Sequence, residues 1–136
     1  LPEAAKENTP EGAEAFIRYY FDVVNRAYTT PESGLIPALS NDECLACVAL
    51  EEQVGQLISS GQRVAYEPFA LTDMSVVGGG AEPEVVRFNV EMTQPANQFI
   101  DSDDNVVLSS EAMQKSGVVA AIWEGEAWKL YGSGLQ

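Results

Sequence analysis

Between positions 10 and 28 the apolar residues recur every third and fourth position: Phe16, Ile17, Tyr20, Val23, Val24, Ala27 and Tyr28. That spacing puts them on one stripe of an α-helix. Glu14, Arg18, Asp22 and Arg26 stand four apart with alternating sign on the other side, a solvated ladder. Thr9 is placed to cap the helix, Pro10 fits its first position, and Glu11 favours the positive end of its dipole. Upstream, residues 1–8 show no apolar period and are expected to be a tether or frayed end. Downstream, Thr29-Thr30-Pro31-Glu32-Ser33-Gly34 is a cluster of turn formers. Residues 35–39 read as a short helix that includes Pro37. A second amphipathic helix is expected over residues 42–60, burying Cys47, Leu50, Val54, Leu57 and Ile58 and ending at Gly61.

From Gln62 onward the period changes to two. Val64 and Tyr66 belong to a short strand, and Pro68 marks a break or an edge. Residues 69–77 form a second strand. Gly78-Gly79-Gly80-Ala81-Glu82-Pro83 reads as a flexible loop, and with no lysine or serine after the glycines it is not a phosphate cradle. In residues 85–93, Val86, Phe88, Val90 and Met92 alternate with Arg87, Asn89, Glu91 and Thr93, so one face is buried and one wet. Residues 98–101 and 105–109 form a hairpin around Ser102-Asp103-Asp104. Residues 114–123 are apolar on both faces, as a central strand would be. Glu124-Gly125-Glu126 turns them into a last strand at 127–131. Helices first and antiparallel strands afterwards make the α+β class. We expect a curved antiparallel sheet of five or six strands wrapped around the first helix, as a single domain over residues 9–136.

Length, composition and charge narrow the functional classes. A chain of 136 residues, 46% of them hydrophobic, can bury a core without a metal to hold it together. Twenty-one acids against 7 bases give a net charge of −14, which argues against nucleic acid and against an anionic membrane as partners of the folded surface. No apolar run approaches the roughly 20 residues of a membrane span. The first residue is Leu1, as expected of a processed chain, with any signal peptide or lipid-attachment cysteine lying upstream. Leu45-Ala46-Cys47 mimics the end of a lipobox, but it lacks the preceding basic and apolar regions.

Few residues carry chemistry. Cys44-Leu45-Ala46-Cys47 near a helix start admits a local disulfide, a thiol-redox centre or part of a metal site. The chain has no histidine, which removes Ser-His-Asp and Cys-His catalysis, and with no second cysteine pair either it argues against a four-ligand zinc site. Asp101-Ser102-Asp103-Asp104-Asn105 has the alternating oxygens of a calcium loop. It lacks the glycine at its sixth position, and Glu111 is one residue short of the closing ligand, so it reads as a solvated hairpin tip. Trp123 and Trp128 flank the last turn and read as packing residues.

Three helical segments, then a curved antiparallel sheet ending in a hairpin with Trp128-Lys129-Leu130 on its last strand, resemble the cone-shaped NTF2-like (cystatin-like α+β) superfamily. More narrowly, three segments resemble a domain-of-unknown-function family of actinobacterial secreted lipoproteins. They are Glu11-Gly12-Ala13-Glu14-Ala15-Phe16-Ile17-Arg18-Tyr19-Tyr20, Leu35-Ile36-Pro37-Ala38-Leu39-Ser40 and Cys44-Leu45-Ala46-Cys47. The resemblance implies export to the cell envelope, a lipid anchor upstream and a disulfide between Cys44 and Cys47. It implies no activity and transfers no catalytic residue. Within such a cone, Phe16, Tyr20, Val24 and Tyr28 are the candidates to line a ligand pocket. Some NTF2-like enzymes use a carboxylate base and an oxyanion-binding tyrosine in an apolar cone. Asp73, in phase with Phe69 and Leu71, and Tyr20 are the weak catalytic candidates here. The leading expectation is a non-enzymatic binding domain for a small apolar ligand or a protein, with no cofactor, no metal and no nucleic acid. The alternatives are a carboxylate-dependent isomerase or cyclase, and an oligomerising scaffold, a homodimer included, that pairs through its open sheet face.

Overall fold

In the computed structural model the first helix, α1, spans Pro10–Thr29. Thr9 caps it, its Oγ1 accepting the Gly12 N–H at 2.9 Å, a contribution of about 1 kcal/mol. The buried face is wider than the predicted stripe: Phe21 and Asn25 are inside, while Val23 is half-buried. The second helix, α2, spans Leu45–Ser60. It starts later than expected because Asn41 first closes a turn, its side chain accepting the Glu43 N–H and its carbonyl the Cys44 N–H. Cys47, Val54 and Leu57 are buried, and Leu50 is half-buried. Ile58 lies on the flank of that stripe in the last turn and is exposed, contrary to its predicted place. Between the helices, Pro37–Leu39 is a single 3-10 turn. It docks against the last strand, where Asn41 N–H donates to Leu130 O at 2.8 Å.

Residues 1–8, expected to be a tether or frayed end, are exposed except for Ala5, yet they are held to the domain. Glu3–Lys6 is a 3-10 turn with Ala5 buried, and the Trp128 indole N–H donates to Glu7 O at 2.8 Å. Gly12 makes this possible, since a Cβ there would stand 2.0 Å from Glu7 O. The sequence showed no periodic signal because one 3-10 turn is too short to repeat a pattern.

The structure describes residues 1–77 and 84–136; the predicted glycine loop at 78–83 lies outside the described residues. The strands are β1 (Arg63–Val64), β2 (Ala70–Val77), β3 (Val85–Gln94), β4 (Asn97–Ile100), β5 (Val106–Ser110), β6 (Met113–Trp123) and β7 (Trp128–Ser133). They form two antiparallel sheets, ordered β1-β4-β5 and β2-β3-β6-β7. β3 and β6 pair from Val85↔Ile122 to Gln94↔Met113. Pro95 follows, with no N–H to give to a ladder. Beyond it the same two stretches of chain pair again as β4 and β5, starting at Asn97↔Ser110. The expected sheet of five or six strands is therefore an open, curved α+β arrangement of seven described strands, broken where the proline interrupts the hydrogen bonds. Phe16, Ile17, Tyr20, Phe21 and Val24 of α1 pack in one core with Phe88, Val90 and Met92 of β3, Val119 and Ala121 of β6, and Leu130 of β7. Each large side chain so buried stabilises the fold by roughly 1.5–3 kcal/mol.

Candidate binding cleft at the mouth of the cone

The space between α1 and the curved sheet is filled by side chains. Phe16, Tyr20 and Val24, expected to line a pocket, are each at most 1% exposed and belong to the core. The Tyr20 hydroxyl donates to Cys47 Sγ at 3.1 Å. Burial raises its pKa far above the ordinary tyrosine range; the Ser40 hydroxyl pulls the other way and Tyr28 adds a smaller upward push. Tyr20 is therefore a neutral core residue whose proton is committed to the disulfide sulfur. That bond joins Cys44 and Cys47, whose Cα atoms are 5.3 Å apart, so no thiolate or metal ligand remains there. Cys44 Sγ also accepts the Cys47 N–H at 3.2 Å and caps α2.

Asp73 does not reach the interior. A bulge between Leu71 and Asp73 changes the phase of β2. Leu71 pairs with Met92 and Met74 with Val90, both inward positions, so the two intervening residues leave Asp73 facing out opposite Glu91. Asp73 and Tyr20 are not brought together. The acidic hairpin tip is a turn closed by its own first residue: Asp101 Oδ1 accepts the N–H groups of Asp103 and Asn105, both at 2.9 Å. Asp104 pairs with Arg63 at 3.1 Å. Trp123 and Trp128 pack edge to face at 5.3 Å.

The open end is different. There the connector from β1 to β2 is gripped by two buried asparagines that mimic a strand's hydrogen bonds. Asn25 on α1 donates to Phe69 O at 2.8 Å and accepts the Phe69 N–H at 2.9 Å. Asn97 on β4 donates to Tyr66 O at 2.8 Å and accepts the Tyr66 N–H at 3.0 Å. Pro68 and Phe69 thereby become a fixed wall. Three clefts of about 240, 670 and 230 Å³ meet at this mouth, and Gln53 of α2 lines all three. Tyr28, Gln53 and Phe99 form the wall common to the first two; Gln53, Phe69 and Gln94 form that common to the first and third. The Tyr28 hydroxyl, whose pKa burial raises, donates to Gln53 Oε1 and so fixes which end of that amide faces the space. Of the predicted wall residues, Tyr28 is the one that these clefts reach.

Asn25, Gln53 and Asn97 were not singled out from sequence. Asn25 carried a signal, because it falls in phase with Phe21 and Tyr28 on the buried face, where an unpaired amide is costly. Gln53 carried none, being one of several polar residues on the wet side of α2. Away from the mouth, the outer face of β3 is polar, with Asn89 and Glu91 exposed. Exposed apolar side chains concentrate instead on β5, an edge strand with Val106, Val107 and Leu108 each more than half exposed.

A two-helix layer over an open, curved antiparallel sheet is the cystatin-like, or NTF2-like, α+β fold. The intermembrane space region of the chloroplast protein ARC6 is similar to this chain with a TM-score of 0.63 at 12% identity, over 95% of this chain and 97% of that one. An uncharacterized protein with a cystatin-like fold from Caulobacter vibrioides is similar with a TM-score of 0.55 at 8% identity, over 92% of this chain and 90% of that one. At such identities the likeness is one of fold. Residues 1–133 match the family of unknown function DUF6318, and the chain belongs to that family. No curated protein matches it.

Proposed function

We propose that this domain is a non-enzymatic binding module of an exported, envelope-bound protein, and that its ligand is a small molecule with an apolar body held at the mouth of the cone. The observation that carries this reading is the convergence of three clefts on Gln53, beside a wall that two buried asparagines hold rigid. Building a fixed wall costs two buried amides, and such groups are retained where a shape must be specified. Against an isomerase or cyclase, the tyrosine that could serve is hydrogen-bonded inside the core and Asp73 faces solvent. Export is supported by the disulfide, a bond that persists in oxidising compartments. Protein-observed NMR with a library of small apolar fragments tests the site. Shifts should cluster at Tyr28, Gln53, Phe69 and Phe99; saturable binding that perturbs only other surfaces would remove the reading.

Protein binding is a second reading, favoured by β5. Its residues Val106-Val107-Leu108-Ser109-Ser110 are all exposed, and the strand has neither a charge nor a proline to block pairing. Asp101, Asp103, Asp104 and Glu111 flank it, so the occupant that fits is an extended segment with basic flanks, not a second copy of this acidic chain. A Val/Thr peptide with lysine ends should broaden or shift β5 amides at low salt, whereas equal binding by its glutamate-ended counterpart would overturn the choice of partner.

A further inference from the structure

One cationic residue lines the mouth. Lys115 pairs in register with Met92, which is 1% exposed and faces the core. Directly opposed residues of an antiparallel pair share a face, so the Lys115 side chain leaves β6 on the concave side with Gly117 and Val119. It is half-buried and lines the 230 Å³ cleft with Phe21, Leu50, Phe69, Met92 and Leu135. Gly117 helps to build that wall: a Cβ there would stand 2.2 Å from Gly134 O, so its absence lets residues 134–136 run close alongside β6, hydrogen-bonded to Val118 and Ser116, and set Leu135 in place.

Three facts about this cleft point the same way. The chain has 21 acids, yet none lines the cleft. Among the described residues the ion pairs are Lys6–Glu3, Arg18–Glu14 and Arg63–Asp104, and Lys129 donates to Ala38 O; the Lys115 ammonium enters none of these. The Gln53 Oε1 accepts the Tyr28 hydroxyl, which orients the amide, and its N–H groups remain donors that Gln53 can offer the space. A lysine stem can lie along apolar surface with its head in water, so from the concave side of β6 the stem covers the cleft wall and the ammonium can reach the cleft opening.

We propose that this cleft is an anion subsite and that its ligand is a small monocarboxylate with a short apolar or aromatic body. The carboxylate pairs with Lys115 Nζ and accepts from the Gln53 amide, while the body lies against Phe21, Leu50, Phe69 and Met92. The volume is below the range of roughly 300–1,000 Å³ usual for drug-sized ligands, which favours a short chain over a long acyl tail. This assignment rests on the binding reading of the same mouth and adds the sign and size of what binds.

The test is a matched series of hexanoate, hexanol and hexylamine, titrated by NMR against the wild-type chain, Lys115→Met and Lys115→Arg at low salt. Methionine suits a half-buried position beside Met92, and arginine keeps the charge should methionine disturb the fold. Hexanoate should bind about tenfold tighter than hexanol, the yield of one charge-assisted contact. Lys115→Met should bring hexanoate to the level of hexanol and leave hexanol unchanged, and Lys115→Arg should keep the preference. Equal binding of hexanoate and hexanol to the wild type, with shifts at Gln53 and Phe69, would overturn the anion subsite and leave the cleft reading standing. Shifts at neither residue with any member of the series would overturn both.

Discussion

Single residues set the most sensitive features of this molecule, and Asn25 is the clearest. Its amide satisfies both backbone groups of Phe69 across 44 positions of sequence. Removing the amide leaves a donor and an acceptor without partners at a site that excludes most water. We expect Asn25→Ala to cost about 2–3 kcal/mol in urea denaturation. A loss near zero would mean that the connector relaxes into solvent and that the cleft wall is not fixed. The residue was readable in principle, because a polar side chain in phase with a buried stripe must find a partner. Its partner was not readable, since no pattern in the sequence joins a helix to a loop so far along the chain. The buried tyrosines make a second prediction. Burial raises the pKa of both Tyr20 and Tyr28, so the folded state holds their protons more tightly than the unfolded chain does. Their contribution is fully present below the unfolded tyrosine value of about 10 and is lost as pH rises past it, by up to about 1.4 kcal/mol per pH unit for each tyrosine. Melting curves between about pH 9 and pH 11 should therefore fall less steeply for Tyr20→Phe and Tyr28→Phe than for the wild type. Equal slopes would show that these hydroxyls ionise freely in the fold.

At the scale of elements, what the sequence made legible was periodic and what it hid was not. The 3.6-residue stripe gave α1 to within a residue at its start, because a capping threonine and a first-position proline mark the boundary chemically. The two-residue alternation gave β3 and the β4–β5 hairpin. A bulge breaks that alternation without changing composition, so the phase of Asp73 could not survive the bulge beside it. Pro95 was visible, but whether a proline ends a sheet or sits on its edge depends on the partner strand. The short disulfide belongs to this scale as well, for it constrains one element and not the whole fold. Its loop spans the first turn of α2, with Cys44 as cap and Cys47 in the core. Closing so small a loop removes little unfolded-state entropy, about 2 kcal/mol. We expect Cys44→Ser/Cys47→Ser to lose about that much in chemical denaturation and to loosen the first turn of α2 in hydrogen exchange. Global unfolding of the double variant at room temperature would show instead that the bond, or the Tyr20 hydroxyl seated on its sulfur, holds the core as a unit.

For the whole molecule the governing fact is charge. The net value is −14, and the ion pairs Lys6–Glu3, Arg18–Glu14 and Arg63–Asp104 are each solvent-exposed on both sides. Exposed pairs contribute about 0–1 kcal/mol apiece, too little to offset the mutual repulsion of so many unpaired carboxylates held on one compact surface. Unfolding spreads those charges apart and relieves the repulsion. Salt shortens the Debye length from about 30 Å at 0.01 M to about 10 Å at 0.1 M, and so weakens repulsion across the molecule before it weakens any contact pair. The melting temperature should therefore rise as sodium chloride is added and then level off, while the hexanoate preference assigned to Lys115 should weaken over the same range. The two trends have opposite signs because one reflects the field of the whole surface and the other a single attraction inside a cleft that no acid lines. A melting temperature that falls with salt would mean that the few attractive pairs outweigh the acidic surface. The long-range field would then supply no reason for placing an isolated cation at the mouth of the cone.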